Sequence, residues 1–123
     1  MKAVKLTKLV EELNLKNLTS DVDMENVRIT VPDINRPALQ LTGYFEHFAS
    51  ERVQIIGYVE FTYLMHLERE KKIYCFEQFI SKKIPCVIFT TMTEPDEDML
   101  ELGNRYGVPI LVTERTTSNF MAE

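Results

Sequence analysis

Few side chains in this sequence have types and spacing suited to chemistry, and the best candidates lie in one polar turn. Asp33, Asn35 and Arg36 follow an alternating apolar and polar stretch, and Arg52 comes shortly before the next apolar run. Asp and Asn side chains bond nearby backbone N–H groups, so they favour turns and helix starts. With Asn35 as N-cap, Arg36 and Pro37 would occupy the first helical turn, where a helix N-terminus beside an arginine can bind an anion.

A purely structural role for the same residues is the competing interpretation. Both arginines could pair with nearby acids and lock the turn without binding anything; the acids considered are Asp33, Glu46 and Glu51. In a parallel α/β sheet the turn would lie at the carboxyl edge of its strand, where such folds bind ligands. The two interpretations stay open at this point. The candidate ligand or contact turn therefore comprises Asp33, Asn35, Arg36 and Arg52.

Motifs for catalysis, cofactor binding or metal binding are missing from the sequence. It contains no GxGxxG, GxxxxGK[ST], HExxH or GxSxG, and only four glycines in all. His47 and His66 stand among apolar residues, as partly buried structural histidines do. The acids Glu94, Asp96, Glu97 and Asp98 fall at a predicted helix start, where the helix dipole accounts for them. We expect no catalytic, cofactor-binding or metal-binding residue in this chain.

Charge and composition narrow the class of protein further. The 123 residues carry a net charge of -5, which argues against a nucleic-acid partner. The lysine pairs at 71–72 and 82–83 are expected on solvated helix faces. Cys75 and Cys86 lack metal or CxxC spacing and stand among apolar residues, which indicates buried reduced thiols. No apolar run approaches 18 residues, so a membrane partner is not expected and the chain is predicted to be intracellular.

Periodicity predicts alternating helices and strands in one domain over residues 1–123. Leu6, Leu9, Val10 and Leu13 have helical spacing, whereas Val27 to Val31 alternates as a half-buried strand does. The other predicted elements are a short helix from Pro37 to Gly43, a strand over 52–56, helices over 60–83 with a break near Leu67, a strand over 85–90, a helix from about Glu94 to Gly107, a strand over 108–112 and a helix start at Asn119. Strands alternating with helices favour a mostly parallel sheet.

The inner faces of these elements can also be predicted. In the two helices over 60–83 the residues expected to face the core are Phe61, Leu64, Met65, Ile73, Phe76 and Ile80. In the helix from about Glu94 they are Met99, Leu102, Gly103 and Tyr106. The predicted fold is a three-layer α/β arrangement, with about four to five mostly parallel strands and helices on the faces of the sheet.

Several longer blocks of the sequence resemble one known family. The blocks are Leu9 to Leu15, Ile29 to Phe45, Ser50 to Gly57, Glu60 to Leu64 and Thr116 to Phe120. They resemble the N-terminal domain of bacterial HPr kinase/phosphorylase, and the resemblance covers essentially the entire chain. It implies a fold similar to the N-terminal domains of Mur ligases.

The resemblance also implies an activity for a larger parent protein. Such a protein phosphorylates a serine of the phosphocarrier HPr and removes that phosphate, in carbon catabolite regulation in the bacterial cytoplasm. It uses ATP or pyrophosphate with Mg, bound by a C-terminal P-loop kinase domain that this chain lacks, and it forms a homo-hexamer. The expected partners are that kinase domain and, through the full-length enzyme, HPr.

Two functions follow as hypotheses. The leading one is a non-catalytic domain that serves regulation, assembly or partner contact. The alternative is a stand-alone α/β domain that senses a small ligand or nucleotide through Asn35 and Arg36.

Overall fold

A five-stranded sheet runs through the protein, and a hydrophobic core packs against each of its two faces. The computed structural model describes residues 4–30, 34–46, 48–90 and 93–114. The elements in chain order are β1 (Val4–Lys5), α1 (Leu6–Glu12), β2 (Lys16–Asn17), β3 (Arg28–Ile29), β4 (Ile34–Asn35), α2 (Ala38–Leu41), β5 (Val53–Ile56), α3 (Tyr58–Met65), α4 (Arg69–Ile80), β6 (Val87–Phe89), α5 (Glu97–Tyr106) and β7 (Ile110–Val112).

The main sheet is mostly parallel, as the alternation of helices and strands predicts. Its strand order is β2-β7-β6-β5-β4. The pairs from β4 to β7 are parallel, with Ile55 opposite Ile88 and Ile88 opposite Leu111, and β2 joins antiparallel to β7 at one edge. The α/β prediction is therefore confirmed.

Because β4 to β7 lie side by side in chain order, right-handed crossovers place their connecting helices on the same face. Side chains at alternate strand positions point to opposite faces. Ile56, Phe89 and Ile110 accordingly pack in the core under α2 to α5. Ile55 and Ile88 pack on the other face, in a second core with Leu6 of α1. Both faces are covered, which explains why β6 and β7 are continuously apolar.

The predicted strand over 27–31 is wrong in extent and placement. Only Arg28–Ile29 is a strand among its described residues, and it pairs antiparallel with Val4–Lys5 in a separate two-stranded sheet. This small sheet buries Ile29 in the second core. The edge position next to β5 is taken instead by Ile34–Asn35. Two-residue strands such as β2 have no alternation long enough to reveal them in the sequence.

Helix boundaries follow the predicted signals closely. The helical conformation is interrupted around Leu67, between α3 and α4. Helix α5 ends at Gly107, whose φ of 69° is in the left-handed region that glycine favours. At the start of α5 the Asp96 side chain accepts a hydrogen bond from the Met99 N–H at 3.0 Å. The predicted helix start at Asn119 lies outside the described residues.

Four predicted burial states are wrong. His66 is exposed rather than partly buried. Met65 and Tyr106 are exposed rather than core, and the Tyr106 hydroxyl donates to Glu77 at 2.7 Å. Lys72 is buried rather than solvated, because its ammonium pairs with Asp96 at the start of α5. Of the predicted buried thiols, Cys86 is fully buried and Cys75 is half-buried, and both are free. No helix in the described ranges is long and apolar enough to cross a bilayer.

Candidate functional site

The predicted turn is built differently from the expected helix start. Asn35 is the last residue of β4, and Pro37 takes the N-cap position of α2 without a side-chain cap. The prediction that Asn35 caps the helix is therefore wrong. With only four residues, α2 is also too short to offer the expected anion-binding N-terminus.

The Asn35 side chain instead joins β4 to a buried glutamine of β5. Its Nδ2 donates to Gln54 Oε1 at 2.7 Å and lies 3.4 Å from Gln40 Oε1. Gln54 is fully buried, and its own Nε2 donates to the carbonyl oxygens of Ala49 at 3.0 Å and Arg52 at 2.9 Å. A buried amide needs such partners, because an unsatisfied polar group costs about 1–3 kcal/mol. These contacts tie the edge strand to the loop before β5.

Arg36 pairs with Glu60, an acid outside the predicted set of partners. Its Nε donates to Glu60 Oε2 at 2.8 Å and its Nη2 donates to Glu60 Oε1 at 2.7 Å. The Glu60 side chain is 3% exposed, whereas that of Arg36 is 36% exposed. Glu60 Oε1 also accepts the N–H of Gly57 at 3.0 Å, at the N-cap of α3. The structural interpretation, an ion pair that fixes Arg36, is right in kind, but its partner is Glu60.

A sequence signal for Glu60 did exist. Glu at the third helical position bonds back to the N-cap N–H in the capping box, and Glu60 stands three residues after the strand-ending Gly57. This pattern places a carboxylate at the carboxyl end of β5. Asn35 pairs in register with Gln54, so Arg36 lies at the same end of the neighbouring strand.

Arg52, another residue of the predicted turn, contacts the backbone of β4. Arg52 precedes β5 at its opposite end, with Nη1 3.5 Å from the Ile34 carbonyl oxygen. Asp33 lies outside the described residues. Asn35 and Arg36 thus have different partners, Gln54 and Glu60, and the Arg52 carbonyl oxygen is linked to Asn35 through the Gln54 side chain. A ligand role for this turn stays a prediction.

A concave surface lies at the carboxyl ends of β6 and β7. This carboxyl-edge groove has a volume of about 630 Å³, and its lining residues include Lys16, Phe61, Thr90, Thr93 and Glu114. Thr90 and Thr93 are almost fully buried, and a Thr90 hydroxyl contact to the Ile56 carbonyl oxygen at 3.4 Å links β6 to β5. Hydroxyl groups, one amine and carboxylates therefore surround a partly apolar floor.

Two acids of the cluster at the start of α5 form ion pairs with basic residues of α4. Arg69 forms two hydrogen bonds of 2.9 Å with the Asp98 carboxylate, and Lys72 pairs with Asp96. The hydrogen bonds from Arg69 lower the pKa of Asp98 below its usual value. In the described part of the chain, no group of three or more His, Cys, Asp or Glu is arranged to hold a metal ion.

Comparisons with known proteins agree on one family. The family model described as HPr Serine kinase N terminus matches residues 4–123. An HPr kinase/phosphorylase of Lachnoclostridium phytofermentans is 49% identical over 123 residues, which are 100% of this chain and 40% of that protein. One of Caldicellulosiruptor bescii is 44% identical over 93% of this chain and 37% of its own length. The chain spans about two fifths of the length of these curated relatives.

A solved structure shares the fold at low sequence identity. It comprises the CBS and DRTGG domains from the regulatory region of Clostridium perfringens pyrophosphatase, complexed with the activator diadenosine tetraphosphate. The TM-score is 0.66 and the identity 14%, over 96% of this chain and 44% of that one. This likeness concerns the fold alone. The expected similarity to Mur ligase N-terminal domains stays a prediction.

Proposed function

The chain belongs to the family of HPr serine kinase N-terminal domains, and from that premise we propose that it is the non-catalytic N-terminal part of an HPr kinase/phosphorylase. One observation carries the proposal. Two HPr kinase/phosphorylases match this chain over 100% and 93% of its length, whereas the chain spans only about two fifths of the length of each of them. The parent protein phosphorylates a serine of HPr with ATP or pyrophosphate and Mg, and also removes that phosphate. It acts in carbon catabolite regulation in the cytoplasm and assembles as a homo-hexamer.

The role proposed for this chain is partner contact, assembly or regulation rather than chemistry. The polar residues of the predicted turn support it, because the Arg36 guanidinium and the Asn35 amide are engaged in contacts that fix the sheet edge. Asp96 and Asp98 at the start of α5 support it too, since Lys72 and Arg69 pair with them. Groups bound in this way stabilise the fold and are not held ready for a substrate.

Two measurements test this proposal. The coding sequence beyond Glu123 should encode a GxxxxGK[ST] motif between a strand and a helix, which forms the phosphate-binding loop of the kinase domain. Incubation of the 123-residue chain with HPr and labelled ATP or pyrophosphate should give no phosphoserine, whereas the full-length protein should give it. Transfer by the chain alone would refute the non-catalytic role.

A ligand-sensing function is the second candidate, and the carboxyl-edge groove favours it. Parallel sheets bind ligands at this edge, and the volume of about 630 Å³ would accommodate a small molecule. Thermal-shift measurements with nucleotides, sugar phosphates and pyrophosphate test this candidate. A shift abolished by Arg36→Ala would assign the ligand to the turn, whereas one abolished only by Thr93→Val would assign it to the groove. No shift with any of these ligands would exclude the candidate for these classes.

A further inference from the structure

Helix α3 has an outward face without a charged residue. Successive helical residues turn by about 100°, so Glu60 and Leu64 lie on one side and are buried. The opposite side consists of Tyr58, Val59, Thr62, Tyr63 and Met65. We call these five residues the outward face of α3. Four of them are exposed large apolar or aromatic residues, and Val59 is 69% exposed.

This composition is unusual for a solvent-facing helix surface. Surface helices carry charged and polar residues on the side away from the core, and a helix that is apolar all round is normally buried. The neighbouring α4 follows the rule, because its exposed residues include Arg69, Glu70 and Lys71. An exposed apolar patch of this kind marks a contact with another protein surface. The outward face of α3 therefore has the composition of an interface.

The size of the face limits what can cover it. A helix of eight residues is about 12 Å long and about 10 Å wide, so its outward half presents on the order of a few hundred Å². A stable complex between separate proteins buries about 800 Å² on each partner. This face alone is too small for that. A tethered domain needs far less contact area, because the linker holds it at a millimolar effective concentration.

The path of the chain also favours a tethered domain as the partner that covers this face. Helix α3 begins directly after β5, at the carboxyl edge of the sheet, and Phe61 of α3 lines the carboxyl-edge groove. Val112, Thr113 and Glu114, which end β7 and follow it, line the same groove. The polypeptide that continues beyond Glu114 thus leaves the described structure at the carboxyl-edge groove, which Phe61 of α3 also lines.

We propose that the outward face of α3 is the docking surface for the domain that follows this chain in the full-length protein. The inference rests on the proposed function, because it requires a polypeptide that continues into a second domain. Docking there would bury Tyr58 and Val59 and fix the orientation of the two domains.

Site-specific thiol labelling tests the proposal with a matched control. Val59→Cys places a thiol in the outward face, and Tyr74→Cys places one on α4, at a residue that is 62% exposed. Both variants carry Cys75→Ser, so that the half-buried native thiol does not interfere. Maleimide labelling at each position is followed by peptide mass spectrometry, in the 123-residue chain and in the full-length protein.

We expect labelling of Val59→Cys to be at least about tenfold slower in the full-length protein, because a docked domain covers it most of the time. Tyr74→Cys should label at the same rate in both. Adding Tyr58→Asp should restore fast labelling of Val59→Cys, since a buried unpaired carboxylate opposes docking. An acidic residue at the first position of a helix is compatible with folding.

Three outcomes would overturn the proposal, and they are distinguishable. Equal labelling of Val59→Cys in the two proteins would refute docking at α3 and leave the proposed function intact. Slower labelling of the isolated chain at higher concentration would assign the face to a second copy instead. A coding sequence that ends at Glu123 would overturn the proposed function together with this inference.

Discussion

The Arg36 guanidinium and the Glu60 carboxylate form two parallel hydrogen bonds, at 2.8 and 2.7 Å, across 24 residues of sequence. This ion pair joins the end of β4 to the first turn of α3, and the same carboxylate accepts the Gly57 N–H. One side chain therefore fixes both the edge strand and the helix whose outward face is proposed to dock the next domain.

Removing Arg36 should destabilise the fold, because it leaves the Glu60 carboxylate buried without its cation. Breaking a buried pair costs about 3–5 kcal/mol, and the partial exposure of Arg36 argues for the lower part of that range or somewhat below it. We expect Arg36→Ala to lower the free energy of unfolding by about 2–3 kcal/mol, measured by urea denaturation. Arg105→Ala, which removes the pairs of an exposed arginine with Glu101 and Glu77, should cost less than about 1 kcal/mol.

The double variant separates charge from packing in this pair. Arg36→Ala with Glu60→Gln removes the buried charge and keeps an acceptor for the Gly57 N–H. It should therefore be more stable than Arg36→Ala alone. Equal stability of the two would show that the unpaired charge is not the cause of the loss.

Asp96 should stabilise α5 in two separable ways. Its carboxylate caps the helix through Met99 and neutralises the buried Lys72. Asp96→Asn keeps a capping oxygen but loses the charge, whereas Asp96→Ala loses both. We expect Asp96→Ala to be less stable than Asp96→Asn by about 1 kcal/mol in thermal or urea unfolding. If the two variants were equally stable, the cap would contribute nothing.

Gly103 is required by close packing rather than by its backbone conformation. A Cβ at this position would lie 2.7 Å from Ile110 Cδ1 and 3.0 Å from Thr19 Cγ2. Alanine normally stabilises a helix interior by up to about 1 kcal/mol over glycine. Here the overlap should reverse the sign, with Gly103→Ala destabilising the protein by about 1–2 kcal/mol. Adding Ile110→Val removes the Cδ1 atom and should reduce the effect of Gly103→Ala; an unchanged effect would contradict the packing argument.

The two thiols should differ in reactivity and in their effect at high pH. Burial raises the pKa of Cys86 to about 12, so in the native protein only the half-buried Cys75 should react with a thiol reagent near pH 8. Cys86 should react only after denaturation. Reaction of both thiols in the folded protein would contradict the burial of Cys86.

The raised pKa also predicts a loss of stability in alkali. The unfolded thiol ionises near pH 9 and the folded one near pH 12, so the contribution is complete below pH 9 and lost as pH rises towards 12. Urea unfolding should show the wild type losing stability more steeply than Cys86→Ala within this window, by on the order of 1 kcal/mol per pH unit. Parallel pH profiles of the two proteins would contradict this prediction.

Local patterns predicted most of the fold. The apolar runs at 85–90 and 108–112 correctly indicated strands covered on both faces, and Gly107 correctly marked the end of α5. Two-residue strands have no periodicity to detect, which is why β2 and β4 were not predicted. Exposed residues such as Met65 were expected in the core, because apolar character alone does not distinguish a core face from a face that binds a partner.

The candidate site was less predictable, because its contacts connect distant parts of the chain. Proximity in sequence indicates only Asp33, Glu46 and Glu51 as partners for Arg36, whereas the parallel pairing of β4 with β5 brings Glu60 to it. Asn35 has the residue type of an N-cap, but the buried Gln54 amide across the sheet competes for its side chain. Side-chain types indicated which residues form specific contacts, and strand pairing determined their partners.

The most direct test of the central claim is phosphate transfer to HPr by the 123-residue chain, compared with the full-length protein under the same conditions. The proposed non-catalytic role predicts phosphoserine on HPr only with the full-length protein, with either ATP or pyrophosphate as donor. Phosphoserine formed by the 123-residue chain alone would contradict it.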